Sequence, residues 1–180
     1  MPRSSIARVA DPHHGGALRR LNPDDLGDHL DRLYRAAWAL CGNRHEAEDL
    51  VQDTYAAVLA RPRFLRGEDD LGYLLRALRN TQVSRARTRD RRPKTTELLD
   101  RPEHRTRWDP AASDEVGALF DAIGALPKDF REALVAIDLI GLTYREAGRA
   151  LRVREATITT RVHRARLRVA AAMGDEGASV

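Results

Sequence analysis

The stretch TYREAGRALRVREATITTRVHRARLR, residues 143–168, admits few folds. Arginine recurs in it at short intervals. Yet Ile158, Val162, Ala165 and, just past its end, Val169 fall at i, i+4, i+7 and i+11. That period draws one thin apolar seam along a helix. A fully solvated helix has no use for such a seam, and a fully buried one cannot hold so many guanidiniums. The stretch is built to press one face on a core and to offer the others to something acidic. Thr143 followed by Glu146 makes a capping box, which starts a helix at Tyr144 and carries it to about Leu151. Arg152, Val153 and Arg154 form a tight turn, and a last helix runs from Glu155 to about Met173. Gly148 leaves room for the two helices to cross closely.

A short helix, a three-residue turn and a longer basic helix make a helix-turn-helix, whose second helix enters the major groove with its N-terminal residues first. Thr157, Thr159, Thr160, Arg161, His163 and Arg164 lie off the seam. Threonine and histidine suit base edges, and arginine suits guanine or phosphate. Arg161 and Arg166 suit phosphate contact or bracing of the helix. A basic amphipathic helix in an ordinary small bundle is the plainer alternative.

The rest of the chain reads as helical, with little strand signal. Leu26, Leu30, Leu33, Tyr34, Ala37, Leu40 and Cys41 form one stripe, ended by Gly42. Ala47, Leu50, Val51, Tyr55, Val58 and Leu59 form a second, stopped by Pro62. Leu71, Leu74, Leu75 and Leu78 start a third. Three such helices close one small core. Residues 93 to about 114 hold prolines and mixed charge and read as a flexible linker; 22 residues reach roughly 70 Å extended and about 25 Å as a coil. Beyond them Leu119, Phe120, Ile123 and Leu126 suggest a helix, and Pro127 fits the first turn of the next, which Gly141 ends. The fold class is therefore all-α: two small helical domains joined by a flexible linker, the C-terminal one a helix-turn-helix. The divisions are a flexible leader at 1–23, a domain at 24–92, the linker at 93–115, a second domain at 116–173 and a tail at 174–180.

Charge is segregated along these 180 residues, whose formal net charge is only +4. Between Asp24 and Asp53 eight acids face three arginines, and between Arg76 and Lys94 eight bases face Asp90 alone. Neighbouring segments of opposite sign suggest two different partners. The single cysteine excludes an internal disulfide framework and fits a reducing, cytoplasmic setting. No apolar run approaches the roughly 20 residues that span a bilayer, so no membrane insertion is expected. Cys41, His45 and Glu48 lie close in sequence, but Cys41 falls in an apolar stripe, so a buried thiol is expected and no metal site. No phosphate-binding glycine loop or nucleophile elbow occurs, which points to neither an enzyme nor a cofactor.

LTYREAGRALRVREATITTRVHRARLR and the preceding ALPKDFREAL resemble the fourth region of bacterial sigma factors of the extracytoplasmic-function group. LYRAAWALCGNRHEAEDLVQDTYAAVLA resembles the first helices of their second region, and YLLRALRNTQVSRARTRDRR its promoter-melting helix. The resemblance covers roughly 24–92 and 116–172 in the family's order. It implies a protein that binds core RNA polymerase through the β′ clamp and β flap, recognises promoter DNA at the minus-ten and minus-thirty-five elements, and helps open the strands. The β′ clamp would meet Asp49, Leu50, Gln52 and Asp53; an ordinary solvated acidic face is the plain alternative. The minus-ten strand would meet Phe64, Leu65 and Arg66 of a base-holding loop, with Arg76, Arg79, Asn80, Ser84, Arg85 and Arg87 of the following helix. The minus-thirty-five element would meet Arg154, Thr157, Thr159, Thr160, Arg161, His163 and Arg164. An anti-sigma factor is a further partner that the family commonly has. The chain departs from the family in four places. Arg152 stands where glycine is common, Arg154 where a capping serine is common, Thr159 where a basic residue is frequent, and Tyr73 where tryptophan is usual. Two other readings compete: a stand-alone helix-turn-helix regulator, and a decoy that occupies an anti-sigma factor.

Overall fold

A computed structural model describes residues 18–21, 23–60, 64–66, 70–91 and 114–176. A strand β1 (Leu18–Arg20) leads into a 3-10 helix (Pro23–His29) and then α1 (Leu30–Cys41), α2 (Arg44–Ala60), β2 (Phe64–Arg66) and α3 (Asp70–Arg91). The second half holds α4 (Asp114–Gly124), α5 (Lys128–Leu134), a π-helical turn (Val135–Leu139), α6 (Tyr144–Leu151) and α7 (Glu155–Glu176). Two helical domains are present, as the periodicities predict.

Helix boundaries follow local chemistry. Gly42 takes φ 81° and its N–H bonds back to the Trp38 carbonyl at 2.8 Å, the left-handed stop that glycine adopts without strain. Asn43 Oδ1 accepts from the Glu46 N–H at 2.8 Å and so starts α2. Pro127 is the N-cap of α5 rather than part of its first turn. The helix that was expected to run straight to Gly141 widens into the π turn first, and Gly141 then stops it at φ 86°.

Leu33, Trp38, Leu50, Leu74, Leu75 and Leu78 are wholly buried in the first domain, and Val135, Ile140, Ile158 and Val162 in the second. All four residues of the basic seam, Ile158 to Val169, are buried. The two cores are continuous. Trp38 of α1 stacks on Phe120 of α4, with centroids 5.0 Å apart, and Tyr34 meets Trp38 edge-on. Arg32 of α1 donates to the Ile140 carbonyl at 3.2 Å, capping the end of the π turn.

Several expectations are corrected. The end of the supposed leader is a strand, β1, paired antiparallel with β2 so that Leu18 faces Arg66, Arg19 faces Leu65 and Arg20 faces Phe64. Leu26 sits in the 3-10 helix and not in α1. Helix α4 begins at Asp114, inside the stretch assigned to the linker, and α7 runs past 173. Leu30, Leu59 and Leu119, each placed on an apolar stripe, are exposed. The remaining linker, the leader up to residue 17 and the last four residues lie outside the described residues.

Candidate nucleic-acid interface

The helix-turn-helix is assembled by short-range bonds. Thr143 Oγ1 accepts from the Glu146 N–H at 3.3 Å, and Glu146 Oε2 accepts from the Thr143 N–H at 2.8 Å, so α6 starts where the capping box predicts. At the turn the Val153 N–H bonds to the Gly148 carbonyl at 2.9 Å. A Cβ on Gly148 would lie 2.9 Å from the Val153 carbonyl oxygen, so only glycine permits this crossing. Arg152 sits in the left-handed region at φ 58°, a conformation that costs a residue with a Cβ about 1 kcal/mol relative to glycine.

On α7, Thr159, Thr160, His163 and Arg164 are exposed and Thr157 is half-buried. Thr159 and Thr160 donate their hydroxyl hydrogens to the Glu155 and Ala156 carbonyls at 3.2 and 3.0 Å. What they turn outward is therefore a methyl group and acceptor lone pairs, suited to a thymine methyl or a base amino group. Three other arginines are occupied. Arg161, expected at the DNA, pairs with Asp129 of α5 at 2.5 Å. Arg166 makes a two-pronged pair with Asp138 of the π turn, at 2.6 and 3.0 Å, and those hydrogen bonds raise its already high pKa further. Arg168 lies over the Phe130 ring at 4.9 Å.

Four arginines at the turn make no ion pair among the described residues. Arg145, Arg149, Arg152 and Arg154 line an open hollow of about 690 Å³ together with Gly148 and Thr157. Only Arg154 of these was singled out from sequence as a DNA contact. Arg145 and Arg149 stand one turn apart on α6, and the signal for them was present: i and i+4 counted from a helix start that the capping box had fixed.

On the other half, Asp49, Gln52 and Asp53 are exposed along one face of α2, but Leu50 is not with them. It is 1% exposed and belongs to the core, because it shares its side of the helix with Ala47, Thr54 and Val58. The acidic and basic segments, whose signs suggested two different partners, also pair with each other. Arg85 of α3 reaches between Asp49 and Asp53 at 3.5 and 3.2 Å, and Arg89 pairs with Glu46 at 3.2 Å. Arg79 pairs with Glu132 of α5 at 2.6 Å. Asn80, Ser84 and Arg87 are exposed and Arg76 is half-buried. Phe64, Leu65 and Arg66 form β2; their side chains lie outside the described residues.

Cys41 is half-buried, and burial first, then Glu46, pushes its thiol up to about 11. It therefore stays protonated near neutral pH and is a poor nucleophile or metal ligand. Among the described residues no helix is long and apolar enough to cross a membrane.

Residues 26–92 match the family model for sigma-70 region 2, and residues 117–169 the model for sigma-70 region 4. The chain is 37% identical to the ECF RNA polymerase sigma factor SigE of Mycolicibacterium smegmatis over 143 residues, which is 77% of this chain but 56% of that relative's length. It is 31% identical to the sigma factor EcfG of Rhodopseudomonas palustris over 86% of both chains. Among solved structures it resembles the sigma factor RpoE of Bartonella quintana, crystallised with the anti-sigma factor NepR. The TM-score is 0.68 at 28% identity, covering 84% of this chain and 95% of that one.

Proposed function

From its membership of the extracytoplasmic-function group of sigma-70 factors, which the two family matches and the EcfG relative establish, we propose that this chain joins core RNA polymerase and directs it to a dedicated set of promoters. It is not an enzyme; catalysis belongs to the polymerase. One observation carries the reading above a generic DNA-binding domain. The same chain holds an exposed α7 reading face behind a capped helix-turn-helix, and an α2 whose Asp49, Gln52 and Asp53 are exposed on another surface even with Arg85 reaching between the two aspartates.

The roles divide as follows. Asp49, Gln52 and Asp53 meet the β′ clamp, with Leu50 holding α2 in place from below. The second domain meets the β flap. Asn80, Ser84, Arg85 and Arg87, with Arg76 and Arg79, handle the opened minus-ten strand, beside the Phe64–Arg66 segment. Opening costs a few kcal/mol per unstacked step, so the exposed strand must be bound to keep it open. Thr157, Thr159, Thr160, His163 and Arg164 read the minus-thirty-five bases in the major groove, while Arg161 braces their helix. The turn arginines, Arg154 with Arg145, Arg149 and Arg152, bind the flanking phosphates. RpoE was crystallised with an anti-sigma factor, which supports a partner of that class here and a place in the cytoplasm beside the polymerase.

Run-off transcription with core polymerase and genomic promoter fragments tests this. New transcripts are expected, and they vanish when Asp49 and Asp53 are both changed to arginine. A chain that binds duplex DNA but neither polymerase nor start sites is a stand-alone regulator instead. One that binds only an anti-sigma factor is a decoy.

A further inference from the structure

Arg79 lies on the helix assigned to the minus-ten strand, yet its guanidinium is spent inside the chain. Nη2 donates to Glu132 Oε2 at 2.6 Å across the junction of the two domains, and the Glu132 side chain is only 8% exposed. Lys128 adds a longer contact at 3.9 Å. Two further contacts hold the same junction: the Trp38–Phe120 stack, and the bond from Arg32 to the Ile140 carbonyl. We propose that the Glu132 face of α5 is an internal docking surface for α3, and that Glu132 competes with a DNA phosphate for Arg79. In the free chain the second domain thus covers part of the first domain's DNA surface. The proposal rests on the assignment of α3 to the minus-ten strand.

The junction is made to open. Arg79 Nε and Arg131 Nε are buried there without a hydrogen-bond partner among the described residues, a standing penalty that separation removes. A space of about 180 Å³ remains between α3 and α5, lined by Gln82, Val83, Lys128, Arg131 and Glu132, so the surfaces do not interlock. The 22 residues between Arg91 and Asp114 are long enough, at roughly 70 Å extended, to let the halves part without breaking the chain. A DNA phosphate can offer Arg79 two oxygens at once, where Glu132 engages it through one.

The test uses the full chain and a fluorescein-labelled single strand covering the minus-ten region of a start site mapped by run-off transcription. Glu132→Gln keeps the shape and removes the charge. It is expected to tighten strand binding without polymerase by about tenfold, an ordinary coupling between two sites. Glu115→Gln, at an exposed position in α4, makes the same change of net charge and controls for general electrostatics. Adding Arg79→Ala to Glu132→Gln should cancel the gain. Phe120→Ala, which loosens the junction from another side, should also tighten binding. In a Trp108→Phe background, the emission of Trp38 should move to longer wavelength in both opened variants. Equal binding by Glu132→Gln and Glu115→Gln, with Arg79→Ala still weakening it, overturns the competition and leaves the function standing. A double variant that binds as tightly as Glu132→Gln alone also overturns the competition, and failure to map any start site overturns both.

Discussion

Helix α3 and the turn between α6 and α7 are both dense in arginine, yet they hold it in different ways. On α3, Arg79, Arg85 and Arg89 each lean on a carboxylate from α2 or α5. At the turn, Arg145, Arg149, Arg152 and Arg154 surround a hollow whose lining includes a single carboxylate, Glu155, and make no ion pair among the described residues. Unpaired guanidiniums repel one another, so their gathering costs stability that only a polyanion returns. Paired ones are held in place but must exchange partners before they can bind anything else. On the proposed function, the second domain is thus ready for duplex DNA as it stands, and the first is ready only after rearrangement. That order suits a protein that must find a duplex before it opens one.

The contrast can be broken at three points. Removing Arg145, Arg149 and Arg152 together should have the largest effect. Each lost phosphate contact flattens the plot of log affinity against log salt by about 0.9, so the slope should fall by about 2.7 and affinity by roughly a hundredfold at moderate salt. The loss should be the same for matched and mismatched minus-thirty-five elements. If mismatches suffer more, the turn reads bases and not the backbone. Arg161→Ala should act on the other quantity. It should lower the melting midpoint by the equivalent of about 1 kcal/mol, because its pair with Asp129 is partly shielded, while the salt slope stays put. The smallest change is expected from Arg152→Gly. Relief of the left-handed φ should raise stability by about 0.5–1 kcal/mol, while one unit of salt dependence is lost. A variant that gains stability with its slope intact would show that Arg152 never meets a phosphate.

Much of this was legible in the residues themselves. The seam from Ile158 to Val169, the Thr143–Glu146 box and the stops at Gly42 and Gly141 are local signals, and the chain obeys them. Leu50 shows what happens when the wheel is set aside. Its periodicity with Ala47 and Val58 marks a core residue, and only the family likeness drew it to the surface. The remaining features join residues far apart in sequence. Arg79 and Glu132 are 53 positions apart, and Trp38 and Phe120 come from different halves. No period or cap announces such a meeting, because it depends on how two finished units come together. The π turn is similar: the sequence gives no break there, and the widening shows in the Ile140 N–H, which reaches back five residues to the Val135 carbonyl at 2.9 Å.

The tether between Arg91 and Asp114 has a consequence for how tightly either half must hold DNA. Once α7 sits in a groove, the first domain searches a volume only tens of ångströms across, which corresponds to an effective concentration in the millimolar range. A contact that is feeble between separate molecules becomes well populated at that concentration. On the proposed function, each half can therefore bind weakly enough to let go during promoter escape, while the two together hold firmly enough to choose a start site.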